Sequence, residues 1–154
     1  MGDARRTIIV HISDDDEGEN GLRFGMSGYG VDKEEIKCGK DGSGMKKKDP
    51  HKITFEINNR SSKEWLFPTN AQNAMWVGSD SSTCPKTPPP EHPEFPSNDR
   101  KVSPDREQLE VKNLNSCAGR YKFSLNFVDA ADAAGKLHQY DPIWTNQNGG
   151  SSNN

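Results

Sequence analysis

Long apolar runs, closely paired cysteines and a surplus of either charge are all missing from this chain, and each absence closes off a class of protein. The longest apolar stretch, Thr7-Ile8-Ile9-Val10-His11-Ile12, is far below the roughly 20 residues that a membrane-spanning helix needs. The basic start Ala4-Arg5-Arg6 leads into no signal-peptide core, so a cytoplasmic setting is the expectation, with export still compatible if the chain is a mature domain carrying an added Met. Met1-Gly2 opens like a myristoylation site, but Arg6 stands where Ser or Thr is required.

Apolar residues are scarce overall. Only 30% of the 154 residues are hydrophobic, where roughly 45–50% is usual with glycine counted, and the mean hydropathy is -0.99. The expectation is one domain over residues 1–145 with a small core and long solvated loops, then a disordered Gly/Ser/Asn tail over 146–154. Twenty basic and 23 acidic residues leave a formal net charge of -3. That balance gives no electrostatic reason to expect nucleic acid or an anionic membrane as a partner.

Cys38, Cys84 and Cys117 are odd in number and contain no Cys-x-x-Cys pair, which argues against a zinc site and against a disulfide scaffold. Reduced thiols fit a cytoplasmic chain. A Cys84–Cys117 bridge that leaves Cys38 over is the alternative.

What the chain does carry is alternation. Tyr121, Phe123, Leu125 and Phe127 fall on one face of Arg120 to Val128, and Lys122, Ser124, Asn126 and Val128 on the other, as in a half-buried strand. Ile53, Phe55 and Ile57 repeat the pattern over Lys52 to Asn58. Further strands are expected over Arg6–Ser13, Leu22–Met26, Glu64–Phe67, Ala74–Val77, Gln108–Leu114 and Gln139–Thr145. Val31–Lys37 reads as a strand or one helical turn. Cys84 to Pro104 holds seven of the ten prolines, a density that suits a long connection between sheets. No segment has a helical period, so the fold class expected is all-β: an immunoglobulin-like or cupredoxin-like antiparallel β-sandwich of about seven strands.

Motifs of catalysis and cofactor binding fail one by one. Gly39 and Gly44 are spaced as in a phosphate-binding loop, but Met45-Lys46 replaces the required Lys and hydroxyl residue. Gly25-Met26-Ser27-Gly28-Tyr29 misses the nucleophile elbow at its last position. His11, His51, His92 and His138 lie on separate segments, and neither Cys84 nor Cys117 is followed by the His and Met of a blue-copper loop. The chain is therefore expected to be no enzyme and to need no cofactor.

Four features remain as candidate binding surfaces. Trp65, Trp76, Trp144 and Tyr140 could form an aromatic platform for a peptide or sugar, since flat rings offer area and a polar tip; packing in an aliphatic-poor core is the competing role. Asp14, Asp15, Asp16 and Glu17 could offer oxygen ligands to calcium, although the EF-hand order is absent and a solvated loop explains them as well. Pro85, Pro88, Pro90, Pro93 and Pro96 contain Pro-x-x-Pro spacings compatible with polyproline II recognition, or with a stiff crossover. Asn59-Arg60-Ser61 is a glycosylation sequon, which has meaning only in an exported protein.

Met75-Trp76-Val77, Thr83-Cys84-Pro85, Tyr121-Lys122-Phe123-Ser124-Leu125 and Tyr140-Asp141-Pro142-Ile143 together resemble small uncharacterised bacterial β-sandwich proteins that end in a Tyr-Asp-Pro-Ile strand. The resemblance covers the carboxyl-terminal half. It implies a β-sandwich fold and transfers no site residue. The function expected on these grounds is a non-catalytic binding or structural module that meets a protein or carbohydrate partner through loops at one end of the sandwich. The alternative is a metal-binding sandwich, with calcium at the acidic loop or a His/Cys site assembled by the fold.

Overall fold

The computed structural model describes residues 4–18, 21–28, 30–38, 50–78, 89, 91–114 and 119–146. Its strands form two sheets packed face to face. The first holds β1 (Ala4–Asp14), β2 (Leu22–Ser27), β5 (His51–Asn59), β8 (Lys101–Val102) and β9 (Gln108–Asn113), in the order β2-β1-β5-β9-β8. The second is built around β10 (Gly119–Asp129). On one edge of β10 lie β11 (His138–Tyr140) and β12 (Ile143–Asn146), followed outward by β4 (Glu35–Cys38) and β3 (Val31–Asp32). β6 (Trp65–Leu66) and β7 (Met75–Val77) pair along its other edge. The fold is all-β and sandwich-like, as the alternation implies.

Alternating apolar residues face inward from both sheets. Ile8, Val10 and Ile12 of β1, Ile53 and Phe55 of β5, and Leu109 and Val111 of β9 are fully buried, each removing about 1.5–3 kcal/mol of apolar surface energy from water. Phe123, Leu125 and Phe127 answer them from β10. Rings join the two layers: Phe55 lies 6.4 Å from Phe123 and 6.0 Å from Trp144, and Phe24 stacks on Phe127 at 5.5 Å.

The sheets are mixed where purely antiparallel ones were expected. β5 runs parallel to β1, and β4 parallel to β12. The cause is the path of the chain. After the β1–β2 hairpin it crosses to the second sheet for two short passes, β3 and β4, so it re-enters the first sheet travelling as β1 does. The segment 31–37 is therefore a tight hairpin, with Val31 opposite Ile36 and Lys33 at φ 58° in its two-residue turn, and not a single strand or helical turn.

Three further differences have local causes. β10 is buried on both faces from Phe123 to Val128, because Asn73 O accepts from Asn126 Nδ2 at 2.7 Å and Gln139 Nε2 donates to Ser124 Oγ at 3.2 Å on the face expected to meet water. The last strand is interrupted at Asp141-Pro142, since proline has no N–H for the ladder, yet its halves keep one register on β10, Tyr140 opposite Leu125 and Trp144 opposite Tyr121. Within the proline-rich connection Phe95 is fully buried, a 3-10 turn spans Ser97–Asp99, and β8 follows. Asn146, expected in the tail, is instead the last residue of β12 and only 2% exposed. Among the described residues no helix is long and apolar enough to cross a membrane.

Candidate functional site

The four aromatic residues expected to form a platform are all buried: Trp144 is 0%, Trp65 4%, Tyr140 5% and Trp76 6% exposed. A core short of aliphatic residues is filled with rings, so no row of open ring faces is presented. Trp144 sits 5.1 Å from Phe123 and 5.3 Å from Phe95. Tyr140 stacks on Phe24 at 5.2 Å, and burial, with the Glu34 carboxylate nearby, pushes its phenol pKa up. Trp65 and Trp76 are different in that each walls a cleft.

Polar side chains concentrate at the two ends of the sandwich. At the end where β1, β5 and β10 begin, Asn113 and Asn146 exchange reciprocal amide hydrogen bonds of 2.7 and 3.0 Å. Asn113 Nδ2 also reaches Cys38 Sγ at 3.4 Å, Arg6 Nη2 donates to the same sulfur at 3.2 Å, and Asn146 Nδ2 reaches Glu94 Oε1 at 3.5 Å. All five residues are buried. Buried amides linked in this way fix strand ends relative to one another, since breaking one link strands a desolvated group. Cys38 belongs to this network. Cys84 and Cys117, and the bridge considered between them, lie outside the described residues, as do Pro85, Pro88 and Pro90.

The opposite end carries a cleft of about 490 Å³ between the β1–β2, β5–β6 and β10–β11 loops. Trp65 forms its floor, with His138 in T-shaped contact at 4.8 Å. Among the described residues, neither Trp65 Nε1 nor His138 Nδ1 has a hydrogen-bond partner. Burial, aided by the Lys136 charge, pushes the His138 pKa down, which favours the neutral ring. Asp14, Asp129 and Asp132 supply carboxylates to the walls, and Lys63 and Lys136 supply ammonium groups.

Local chemistry explains why these carboxylates sit where they do. Asp14 Oδ2 accepts from Ser62 N at 2.8 Å and ties the β1–β2 loop to the turn after β5. Asp129 Oδ1 accepts from Ala131 N at 3.0 Å while its other oxygen lies 3.6 Å from Lys63 Nζ. Asp132 Oδ1 and Oδ2 accept from Ala134 N and Lys136 N at 3.0 and 3.2 Å. Such side-chain bonds to nearby backbone are the ordinary role of aspartate in turns. Gly18 shapes the first loop, for a Cβ there would come 2.1 Å from Leu22 O.

The acidic loop does not converge as a calcium site would require. Asp14 turns to Ser62, Asp15 pairs with Arg23 at 3.1 Å, and Asp16 and Glu17 point to solvent. His11 bonds Ser27 Oγ at 2.8 Å on the first sheet, His51 is buried at the polar end, His92 lies on the flank, and His138 is in the cleft. Among the described residues no three His, Cys, Asp or Glu side chains are placed to hold a metal ion.

Of the residues singled out from sequence, the cleft unites Trp65 with Asp14. Lys63, Asp129, Asp132 and Lys136 were missed, and His138 was named only among the scattered histidines. The available signal was Asp129-Ala130-Ala131-Asp132, two turn-forming aspartates directly after the strongest strand. The fold is all-β and sandwich-like, and the sequence matches no protein-family model and no curated protein.

Proposed function

We propose that the chain is a non-catalytic binding module that takes a hydroxyl-rich ligand, an oligosaccharide, in the cleft between its β1–β2, β5–β6 and β10–β11 loops. The observation that carries this reading is a rim bearing both carboxylates and ammonium groups around a cleft walled by the Trp65 and His138 rings. A hydroxyl group both donates and accepts, so one ligand type can serve Asp14, Asp129 and Asp132 as donor, and Lys63 and Lys136 as acceptor. The carboxylates are already held by backbone N–H groups, which lowers the ordering cost of binding. The cleft volume also lies within the range of about 300–1,000 Å³ usual for ligand sites.

The test is isothermal titration of the protein with neutral oligosaccharides, set beside a Gly/Ser peptide of similar length. Saturable heat with at least one oligosaccharide, weakened in Asp132→Ala and absent with the peptide, supports the reading. Binding of the peptide alone moves the assignment to a protein partner. Absence of heat with both removes the cleft from consideration.

A further inference from the structure

A second cavity, of about 220 Å³, opens on the flank of the molecule between two 3-10 turns, Ala71–Asn73 and Ser97–Asp99. Trp76, Arg100, Glu91 and His92 wall it, and it shares no residue with the loop-end cleft. Trp76 projects here from the face of β7 opposite to the core-facing Met75 and Val77.

Arg100 is the unusual member. Its Nη1 donates to Met75 O at 2.6 Å and, at 3.5 Å, to Gln72 O, and its Nη2 donates to Phe95 O at 3.2 Å. A guanidinium has five N–H groups, so Nε–H and one Nη2–H remain uncommitted, and Nε has no partner. Nε is shielded from solvent, so the uncommitted Nη2–H is the donor left for a ligand carboxylate. No carboxylate among the described residues lies within 4.0 Å of Arg100. Trp76 Nε1 is a second buried donor without an acceptor in the same wall.

Glu91 is the counterpart. It is exposed, and its two oxygens accept from Ser97 Oγ at 2.6 Å and Ser97 N at 3.0 Å, which fixes the carboxylate in place. Glu91 and Arg100 feel one another's charge across the cavity without forming an ion pair. A simple anion entering here would meet Glu91, and a simple cation would meet Arg100. A ligand carrying both charges satisfies each wall. The volume is below the roughly 300–1,000 Å³ of drug-sized sites, which limits the occupant to a few heavy atoms.

We propose that this cavity binds a small amino acid-like zwitterion, with its carboxylate on the uncommitted Nη2–H of Arg100 and its ammonium toward Glu91. The proposal is independent of the oligosaccharide reading, since the two sites have separate walls and separate tryptophans.

The experiment is NMR titration of the ¹⁵N-labelled protein with the amino acid glycine, acetate and methylammonium, following the indole N–H signals of Trp76 and Trp65. Glycine is expected to shift the Trp76 signal saturably and leave Trp65 unmoved, while acetate and methylammonium, each missing one charge contact, bind roughly tenfold or more weakly. Glu91→Gln keeps an acceptor for Ser97 and should reduce glycine to the affinity of acetate. Arg100→Gln should abolish both, and its amide spectrum reports whether the loss of the Met75 and Phe95 contacts has unfolded the site; Glu91→Gln, at an exposed residue, tests the proposal without that risk. No saturable Trp76 shift with glycine, equal binding of glycine and acetate, or an unchanged glycine affinity in Glu91→Gln would each overturn it.

Discussion

The two ends of the sandwich use polar residues in opposite ways. Where β1, β5 and β10 begin, Asn113, Asn146, Cys38, Arg6 and Glu94 are buried and joined to one another. Where the same strands end, carboxylates and ammonium groups stand around a cleft walled by the Trp65 and His138 rings. A linked buried network rigidifies, whereas charged groups on an open rim keep their donors and acceptors within reach of solvent and of a ligand. On the proposed reading, the difference separates residues that hold the fold from residues that meet a ligand.

The largest expected effect falls on the closed end. Phe95 lies among His92, Tyr121 and Trp144 at 5.3–5.6 Å and is fully buried, so Phe95→Ala should cost about 3–5 kcal/mol in urea unfolding. A cost below about 1 kcal/mol would mean that the segment around Phe95 contributes little. Asn113→Ala comes next. It strands the Asn146 amide, and a loss of about 1–3 kcal/mol is expected. Coupling between Asn113→Ala and Asn146→Ala in a double-mutant cycle would confirm that the pair acts as a unit; additive costs would break the contrast between the ends.

A pH scan sharpens the comparison. Burial holds the pKa values of His92 and His138 below their ordinary 6.5, so the unfolded chain binds their protons first. Their contribution is fully present above 6.5 and is lost as pH falls through the folded values. Stability should therefore decline between about pH 7 and pH 5, and His138→Gln should flatten part of that decline. Glu91 and Asp105, held below the ordinary carboxylate range by Ser97 and Ser103, act only at lower pH. A profile unchanged by His138→Gln would count against a buried neutral imidazole in the cleft.

The smallest stability effect is expected at the open end. Lys136 is exposed, so Lys136→Ala should alter unfolding by no more than about 0.5 kcal/mol. Removal of its charge should nevertheless raise the His138 pKa, read by NMR titration of the ring, and weaken oligosaccharide binding. A large loss of stability would place Lys136 among the residues that hold the fold.

The strands were legible because their signal is local. Ile53-Thr54-Phe55-Glu56-Ile57 and Tyr121 to Phe127 declare an inward face by alternation alone. The parallel pairing of β1 with β5 was not legible, because it depends on how many times the chain crosses between sheets through 31–38. The double burial of β10 escaped for a similar reason: Ser124 and Asn126 read as solvent-facing until Gln139 and Asn73 are brought over them. Trp65 and Asp14 were singled out for separate reasons, one as a ring and one as a carboxylate. Only the fold places them in one cleft with His138. Phe95 gave no periodic signal among prolines, and Asn146 looked like the first residue of a polar tail, yet both are core positions.

The most direct test of the open end is the Trp65 indole N–H signal in ¹⁵N-labelled protein, recorded while a panel of neutral oligosaccharides is titrated in. The account predicts a saturable shift at Trp65 with at least one member, smaller in Lys136→Ala, while the Trp144 signal stays still within the core. A Trp65 signal that never moves while binding heat is present would place the ligand elsewhere and contradict the assignment of the cleft.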